Sequence, residues 1–247
     1  MLPARPARGG IPPRTGWYPR FSAVALAHLE RIALFRCLNP VEAKMLDQVC
    51  RLQVCERGTT IFAEGQKAAD VSFVALGTVK IVKATPTRSV ILRIVGAGQP
   101  IGIVAAWEGR PYPGTAVALE PSTVVHVPAR EFFALTDRHP EILRQMLQMM
   151  MDRQVQIGQR VSEMTGAVES RVAQALLDLV ETSGTPAQAG GTFVSLQLSR
   201  QDIADLAGTT VETAIRIMSR WGKEGIVLTE EHGFLVPDLA RLRSLAV

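Results

Sequence analysis

The 247-residue chain has only three cysteines, Cys37, Cys50 and Cys55, and no Cys-x-x-Cys pair. Such scarcity excludes a disulfide framework and a thiolate zinc site, and it fits a reducing, cytoplasmic compartment. An iron–sulfur cluster needs about four thiolates, so it is not expected either. No window approaches the roughly 18 unbroken apolar residues of a membrane helix, and no membrane contact is expected. Residues 21–29 are apolar and follow several arginines, but Ser22 and His28 interrupt them and Glu30 and Arg31 follow, so they are not read as a signal peptide. Catalytic signatures are missing too: there is no GxSxG, HExxH or phosphate-loop pattern, and Gly96-Ala97-Gly98 is too short to mark a dinucleotide site. The chain is not expected to be an enzyme.

Strong charge of one sign is also lacking. The net charge is +4, but residues 1–20 alone supply it through Arg5, Arg8, Arg14 and Arg20, while residues 168–247 carry 7 basic and 10 acidic side chains. A case for nucleic acid therefore has to rest on where particular residues sit. With 47% hydrophobic residues the chain can bury a real core, and its length points to two domains.

Residues 1–20 are rich in proline and glycine and are expected to form a disordered basic arm. Apolar residues at helical spacing predict a helix over residues 23–35. Asn39 and Pro40 then open another, with Val41, Met45, Leu46 and Val49 on one face. From about Arg51 short β-type runs follow, at residues 60–62, 71–76, 79–82, 90–95, 116–119 and 123–127, separated by turn residues such as Glu64-Gly65, Gly77 and Pro113-Gly114. Many short strands at regular spacing predict an antiparallel sandwich or jelly roll.

After His139-Pro140 a long helix is expected to run to about Met164. Within it Leu143, Met150, Ile157 and Met164 fall seven apart, flanked by Met146, Leu147 and Val161. A heptad stripe with arginines and glutamines around it predicts a seam for a second copy of the same helix. A further amphipathic helix is read over residues 169–180, and residues 182–191 read as a linker.

The most informative stretch is LQLSRQDIADLAGTTVETAIRIMSRWGKEGIV, residues 196–227. Ser199 caps a short helix, Gly208 allows a left-handed turn, and a second helix buries Ala214, Ile217, Met218 and Trp221. Two short helices joined by such a turn form a helix-turn-helix, whose second helix enters a major groove. On its polar face Glu212 and Arg216 lie one turn apart and point the same way. Arginine can bond guanine O6 and N7, and glutamate can accept from cytosine N4. Ser199, Arg200, Gln201, Thr210, Thr213 and Arg220 are expected at phosphates. The closing segment, residues 226–236, reads as a β-hairpin wing.

The pattern LSRQDIA…G…VETAIR…GI resembles the DNA-binding domain of the cyclic-AMP-receptor/fumarate-nitrate-regulator (CRP/FNR) family of bacterial transcription factors. LFRCL, FAEGQ and GTVKIV occur in the same order as in that family. The resemblance implies an α+β chain: a cyclic-nucleotide-binding-like jelly roll over 21–136, a dimerisation helix over 137–166 and a winged helix-turn-helix over 167–247. It also implies a homodimer on a two-fold symmetric double-stranded DNA site, with RNA polymerase as a further partner. Val211, Glu212 and Arg216 imply a TTGA-type half-site, from which Ile215 departs.

Cyclic-nucleotide binders of the family present a glutamate for the ribose and an Arg-Ser pair for the phosphate. Here Ile103 stands for the glutamate and Gly114-Thr115 for the pair, and Arg110 reaches the position only after a shift of about four residues. Cyclic AMP is therefore not expected as a ligand, because a buried phosphate would lack its charge partner. The effector stays unassigned: a haem with an axial ligand among His28, His126, His139, Cys37, Cys50 and Cys55 is open, as is a thiol switch of Cys50 and Cys55. Two alternatives to a signal-responsive regulator are a regulatory subunit of a ligand-controlled complex and a constitutively active family member with no effector.

Overall fold

The computed structural model describes residues 16–17, 27–85, 89–163, 166–188 and 190–246, with the side chains of Gly16, Trp17, Gln156 and residues 159–163 left aside. Met164, the side chain of Val161 and most of the basic arm fall outside these residues. In chain order the elements are β1 (Gly16–Trp17), α1 (Pro40–Val49), β2 (Arg51–Cys55), β3 (Thr60–Phe62), β4 (Asp70–Leu76), β5 (Val79–Ala84), β6 (Ser89–Val95), β7 (Pro100–Ile101), α2 (Ile103–Glu108), β8 (Thr115–Ala118), β9 (Ser122–Pro128), α3 (Ala129–Arg138), α4 (Pro140–Glu163), α5 (Val168–Ser183), β10 (Gly184–Pro186), β11 (Thr192–Val194), α6 (Arg200–Ala207), α7 (Val211–Lys223), β12 (Leu228–Glu230), β13 (Gly233–Val236) and α8 (Leu239–Leu245).

The alternating runs fold into two antiparallel sheets, ordered β1-β2-β9-β4-β7 and β3-β8-β5-β6. The central strand β9 is covered on both faces and is buried from Ser122 to Val127. Phe35, Phe73 and Phe132 meet edge-on or tilted in the core, with ring centroids 5.0 to 6.2 Å apart, tying the lead-in, β4 and α3 together. The imidazole of His126, inside the sheet, is satisfied on both nitrogens: Nδ1 lies 2.8 Å from Ser72 Oγ and Nε2 lies 2.9 Å from Gln53 Oε1.

Four expectations change. Gly16 and Trp17 of the basic arm pair with Val54 and Gln53, adding a short strand to the β2 edge. The helix expected over residues 23–35 stops within its described part at Leu29, and a 3-10 turn at Ala33–Phe35 replaces it. Burying Ile32, Leu34 and Phe35 together needs more sides of the chain than one helical face offers. In α1 Asn39 caps the helix as expected and forms a capping box with Glu42, but only Leu46 is buried, and Val41 and Met45 are 68% and 60% exposed. The linker residues Gly184–Pro186 form β10, which pairs with β11 and widens the wing into a sheet ordered β10-β11-β13-β12.

The α4 helix starts at Pro140, where the missing proline N–H costs nothing. Ile142 and Met146 are buried against the jelly roll, while Leu143, Leu147, Met150 and Ile157 are between 43% and 58% exposed on the other side. Met146 therefore leaves the expected seam. It sits about 60° around the helix from Leu143, on the side where its own sheets are waiting.

Candidate nucleic-acid interface and sensor cavity

The helix-turn-helix is built locally by its caps. Ser199 Oγ accepts from the Asp202 N–H at 3.0 Å, and Asp202 Oδ2 accepts from the Ser199 N–H at 2.9 Å. Gly208, with φ of 62°, ends α6, and Thr210 Oγ1 accepts from the Thr213 N–H to start α7. Ala214, Ile217, Met218 and Trp221 are at most 5% exposed, which locks the inner face of α7 on α5 and α6. Its outer face is left to solvent, carrying Glu212, Ile215, Arg216 and Arg220, with Val211 and Thr213 half-buried beside them.

Arg216 makes no hydrogen bond or ion pair among the described residues, and Glu212 does not pair with it. The Glu212 carboxylate turns to its own backbone N–H and then to the Thr210 hydroxyl, and both hold it below the usual carboxylate range. An ionised acid and an unengaged guanidinium thus stand side by side on one turn, an acceptor and a fork of donors aimed at the surroundings.

The residues expected at phosphates are gathered around this face, several already occupied. Arg200 donates to Thr229 Oγ1 in β12 at 3.2 Å, and Gln201 donates to Asp205 at 2.7 Å. Arg220 pairs with Glu169 at the start of α5, and Trp221 Nε1 donates to the same carboxylate at 3.0 Å. Arg220 therefore braces α7 on α5. Sequence reasoning missed Arg171, whose guanidinium donates to the Ala207 carbonyl at 2.9 Å and the Gly166 carbonyl at 3.0 Å. It holds the end of α6 where the helix carbonyls run out of partners. An arginine on an amphipathic helix carries no local sign of that role.

A cavity of about 230 Å³ opens between the jelly roll and α4. Ile103 and Gly114 are on its wall, and a Cβ at Gly114 would lie 2.8 Å from the Val82 carbonyl oxygen, so no side chain fits there. The other two expected residues are elsewhere. Arg110 is three-quarters exposed and pairs with Glu108, and Thr115 Oγ1 accepts from the Glu64 N–H at 3.0 Å. The expectation that the cavity has no cation is also corrected: Arg93 of β6 and Arg153 of α4 line it. These arginines come from elements 60 residues apart, which no local motif brings together.

None of the candidate haem ligands is assembled into a site, and no group of three or more His, Cys, Asp or Glu side chains among the described residues could hold a metal ion. Burial, with Arg51 adding to it, pushes His126 down to about 4, so it is a neutral core residue. His139 bonds Glu42 at 2.9 Å. Cys37 lies 3.6 Å from the Leu34 carbonyl, and burial raises its thiol. Burial pushes Cys55 up to about 11 and, with the charges of Asp47 and Asp70, Cys50 up to about 12. The His28 ring has a buried Nδ1 with no hydrogen-bond partner among the described residues. Cys50 and Cys55 are separated by the extended β2, roughly 16 Å of strand, whereas a disulfide needs Cα atoms within about 7 Å. The Cys50–Cys55 thiol switch that the sequence leaves open cannot close within one chain.

No helix among the described residues is long and apolar enough to cross a membrane. Residues 52–139 match the cyclic nucleotide-binding domain and residues 170–245 match the Crp-like helix-turn-helix domain. The chain is similar to the nitrogen fixation regulation protein FixK of Azorhizobium caulinodans, with 31% identity over 78% of this chain and 77% of that one. It is 26% identical to the CRP-like cAMP-activated global transcriptional regulator of Mycobacterium tuberculosis, over 87% of this chain and 96% of the relative. A solved CRP-family transcriptional regulator from Thermus thermophilus superposes with a TM-score of 0.66 at 26% identity, over 78% of this chain and 95% of that one. With a helix-turn-helix whose outer face is bare and a jelly roll joined to it by one long helix, the chain belongs to the CRP/FNR family of DNA-binding transcription regulators.

Proposed function

We propose that the chain acts as a homodimer that reads a two-fold symmetric DNA site and whose sensor domain answers to a signal other than cyclic AMP. The observation that carries the reading is the exposed, unpaired Arg216 beside an ionised Glu212 on α7. Arg216 suits guanine O6 and N7, and Glu212 suits cytosine N4, so neighbouring or cross-strand G·C pairs are the bases they would read. Val211 and Ile215 offer apolar contact to thymine methyl groups beside them. Ser199, Arg200, Gln201, Thr210 and Thr213 frame this face as phosphate contacts.

Dimerisation is supported by the bare row Leu143, Leu147, Met150 and Ile157, which alternates three and four residues apart before Ile157. An apolar stripe of that length is costly in water and is relieved by its own copy across a two-fold axis. Loss of cyclic-AMP binding is supported by Ile103 and Gly114: one offers no acceptor for a ribose hydroxyl, and the other has no room for a side chain. The Mycobacterium tuberculosis relative is named as cAMP-activated, and that property is not carried over to this chain. A constitutively active protein with its pocket packed shut fits less well, since the cavity is open. A role with RNA polymerase, in the cytoplasm and without catalysis, completes the reading.

The test is selection of bound sequences from random duplex DNA with the purified full chain, followed by footprinting. Enrichment of an inverted repeat with half-site centres about 34 Å apart is the expected result. No enriched sequence, or a single unpaired half-site, would overturn the reading.

A further inference from the structure

Two arginines stand on the wall of the sensor cavity, and neither is short of partners. Gln99 Oε1, which accepts from the Arg93 guanidinium at 2.7 Å, lines the neighbouring cleft against α5 and not the cavity itself. Arg93 and Arg153 both line that cleft as well, beside Asp178 and Glu181, and both hold further interactions. Their charge is therefore not waiting for an anion. Among the described residues no carboxylate, lysine or histidine lines the cavity. Tyr112, the other ionisable side chain of the wall, donates its hydroxyl to the Asp70 carbonyl at 3.3 Å. Most of what remains is hydrocarbon and thioether: Phe62 and Tyr112 stacked with centroids 3.7 Å apart, Ile103, and the methionines Met146, Met149 and Met150 of α4.

Taking the sensor reading above as given, we propose that this cavity binds a small neutral aromatic molecule of one or two rings, packed on the Phe62–Tyr112 stack and the methionines of α4. An anion would lose its water against a wall whose guanidinium groups are already engaged, with little returned. A nucleotide would in addition leave its sugar hydroxyls against hydrocarbon. An uncharged ring gives up no charge solvation on entry, and the thioether sulfurs favour the edge of an aromatic ring. The volume of about 230 Å³ suits that size. An apolar cavity of roughly 150 Å³ already stays dry and takes up benzene. Methionine, with its three rotatable bonds, closes on rings of different outline. Met150 lines the cavity and also stands 43% exposed in the row proposed as the dimer seam. A ring that moves its side chain therefore acts on how α4 meets its copy.

Calorimetric titration of the full chain with toluene, indole, benzoate and cyclic AMP tests the assignment. Toluene or indole is expected to bind saturably, one per chain, about tenfold or more tighter than benzoate and than cyclic AMP. In methyl NMR the signals of Met146, Met149 and Met150 should shift during the titration, while that of Met45, on α1 outside the cavity, should stay. Ile103→Phe, which puts a ring of the chain's own into the space, is expected to weaken binding about tenfold or more. Val104→Trp, at the exposed rim, tests the same point if Ile103→Phe does not fold. Benzoate or cyclic AMP binding as tightly as the neutral rings, no neutral ring binding at millimolar concentration, or binding that leaves the three methyl signals unmoved would each overturn the proposal. Selection on random DNA is read separately. An inverted repeat enriched by a chain that binds neither ring refutes the ligand class alone, and a ring bound by a chain that enriches no sequence refutes the DNA reading alone. Cyclic AMP binding tightest refutes the sensor reading together with the ligand class.

Discussion

The ammonium of Lys80, on β5 of the jelly roll, pairs with the carboxylate of Asp202, on α6 of the helix-turn-helix. The contact joins the two halves of the chain at the residue that also closes the Ser199 capping box. Arg57 makes a parallel bridge, donating to Gln197 Oε1 at 2.7 Å and to the Gln197 carbonyl. Burial acts to raise the Asp202 carboxyl, but hydrogen bonds from Lys80 and Ser199 outweigh it and hold the group below its ordinary range.

Lys80→Met should therefore destabilise the chain by about 1–3 kcal/mol, the cost of leaving a mostly buried acceptor with fewer donors. A carboxyl whose folded value is depressed contributes stability that is present above its ordinary value of 3.8 and lost as pH falls through the lower folded value. The gap between wild type and variant should then be full at neutral pH and should shrink in acid below pH 3.8. Urea denaturation of both proteins at neutral pH and at about pH 3 checks this; an equal gap at the two would show that the ion pair contributes nothing.

On α7, Arg216→Ala should relax discrimination at one G·C pair by about 1–3 kcal/mol and leave other positions of the site unchanged. Arg200→Ala should weaken every sequence alike and flatten the dependence on salt, because a phosphate contact carries no base information. Competition binding on a set of single-base variants at two salt concentrations separates the two. Identical profiles for both mutants would mean that the roles are wrongly assigned.

Much of this interface is legible in the sequence, and the reasons are local. Ser199, Gly208 and the inward set Ala214, Ile217, Met218 and Trp221 act within a few residues of one another, so caps, turn and helical period all point to one arrangement. The six strands legible from their alternation are likewise short-range patterns. What is not legible depends on partners distant in sequence. Arg93 and Arg153 meet at the cavity only because α4 lies across the sheet holding β6. Arg171 finds the Ala207 carbonyl only once α5 packs on α6. The apolar pattern of α1 points inward, yet Val41 and Met45 stay in solvent, because a stripe of apolar residues does not say how much of it the neighbouring sheet can cover.

The polar cluster inside the sheet sets a second dependence on pH. His126 is held neutral by burial and by Gln53 and Ser72, with its value down at about 4 against an ordinary 6.5. Between those values the unfolded chain takes up a proton that the folded chain refuses. Stability contributed by the neutral ring is therefore complete above pH 6.5 and falls as pH drops toward 4, by roughly 3 kcal/mol over the interval. His126→Gln keeps a hydrogen-bonding side chain that does not titrate, so its stability should be flatter across that window even if lower throughout. Denaturation curves at intervals between the two pH values read the slope directly; equal slopes in both proteins would place the acid sensitivity elsewhere.

Met146 and Leu147 are adjacent on α4 and face different partners, which gives the sharpest test of how the helix is shared. Met146 is 7% exposed and packs on the jelly roll, so Met146→Ala should cost about 2–5 kcal/mol of folding stability and leave the association state of the surviving folded protein unchanged. Leu147 is 58% exposed within the chain, so its burial depends on a second copy. Leu147→Glu would place two like charges near the axis of the proposed seam and strip apolar contact from both helices. It should yield monomers in sedimentation velocity while each chain keeps its helical circular dichroism. Weak DNA binding should follow, because one recognition helix then engages one half-site without the second. Were Leu147→Glu to remain dimeric and Met146→Ala to dissociate, the faces assigned to α4 would have to be exchanged.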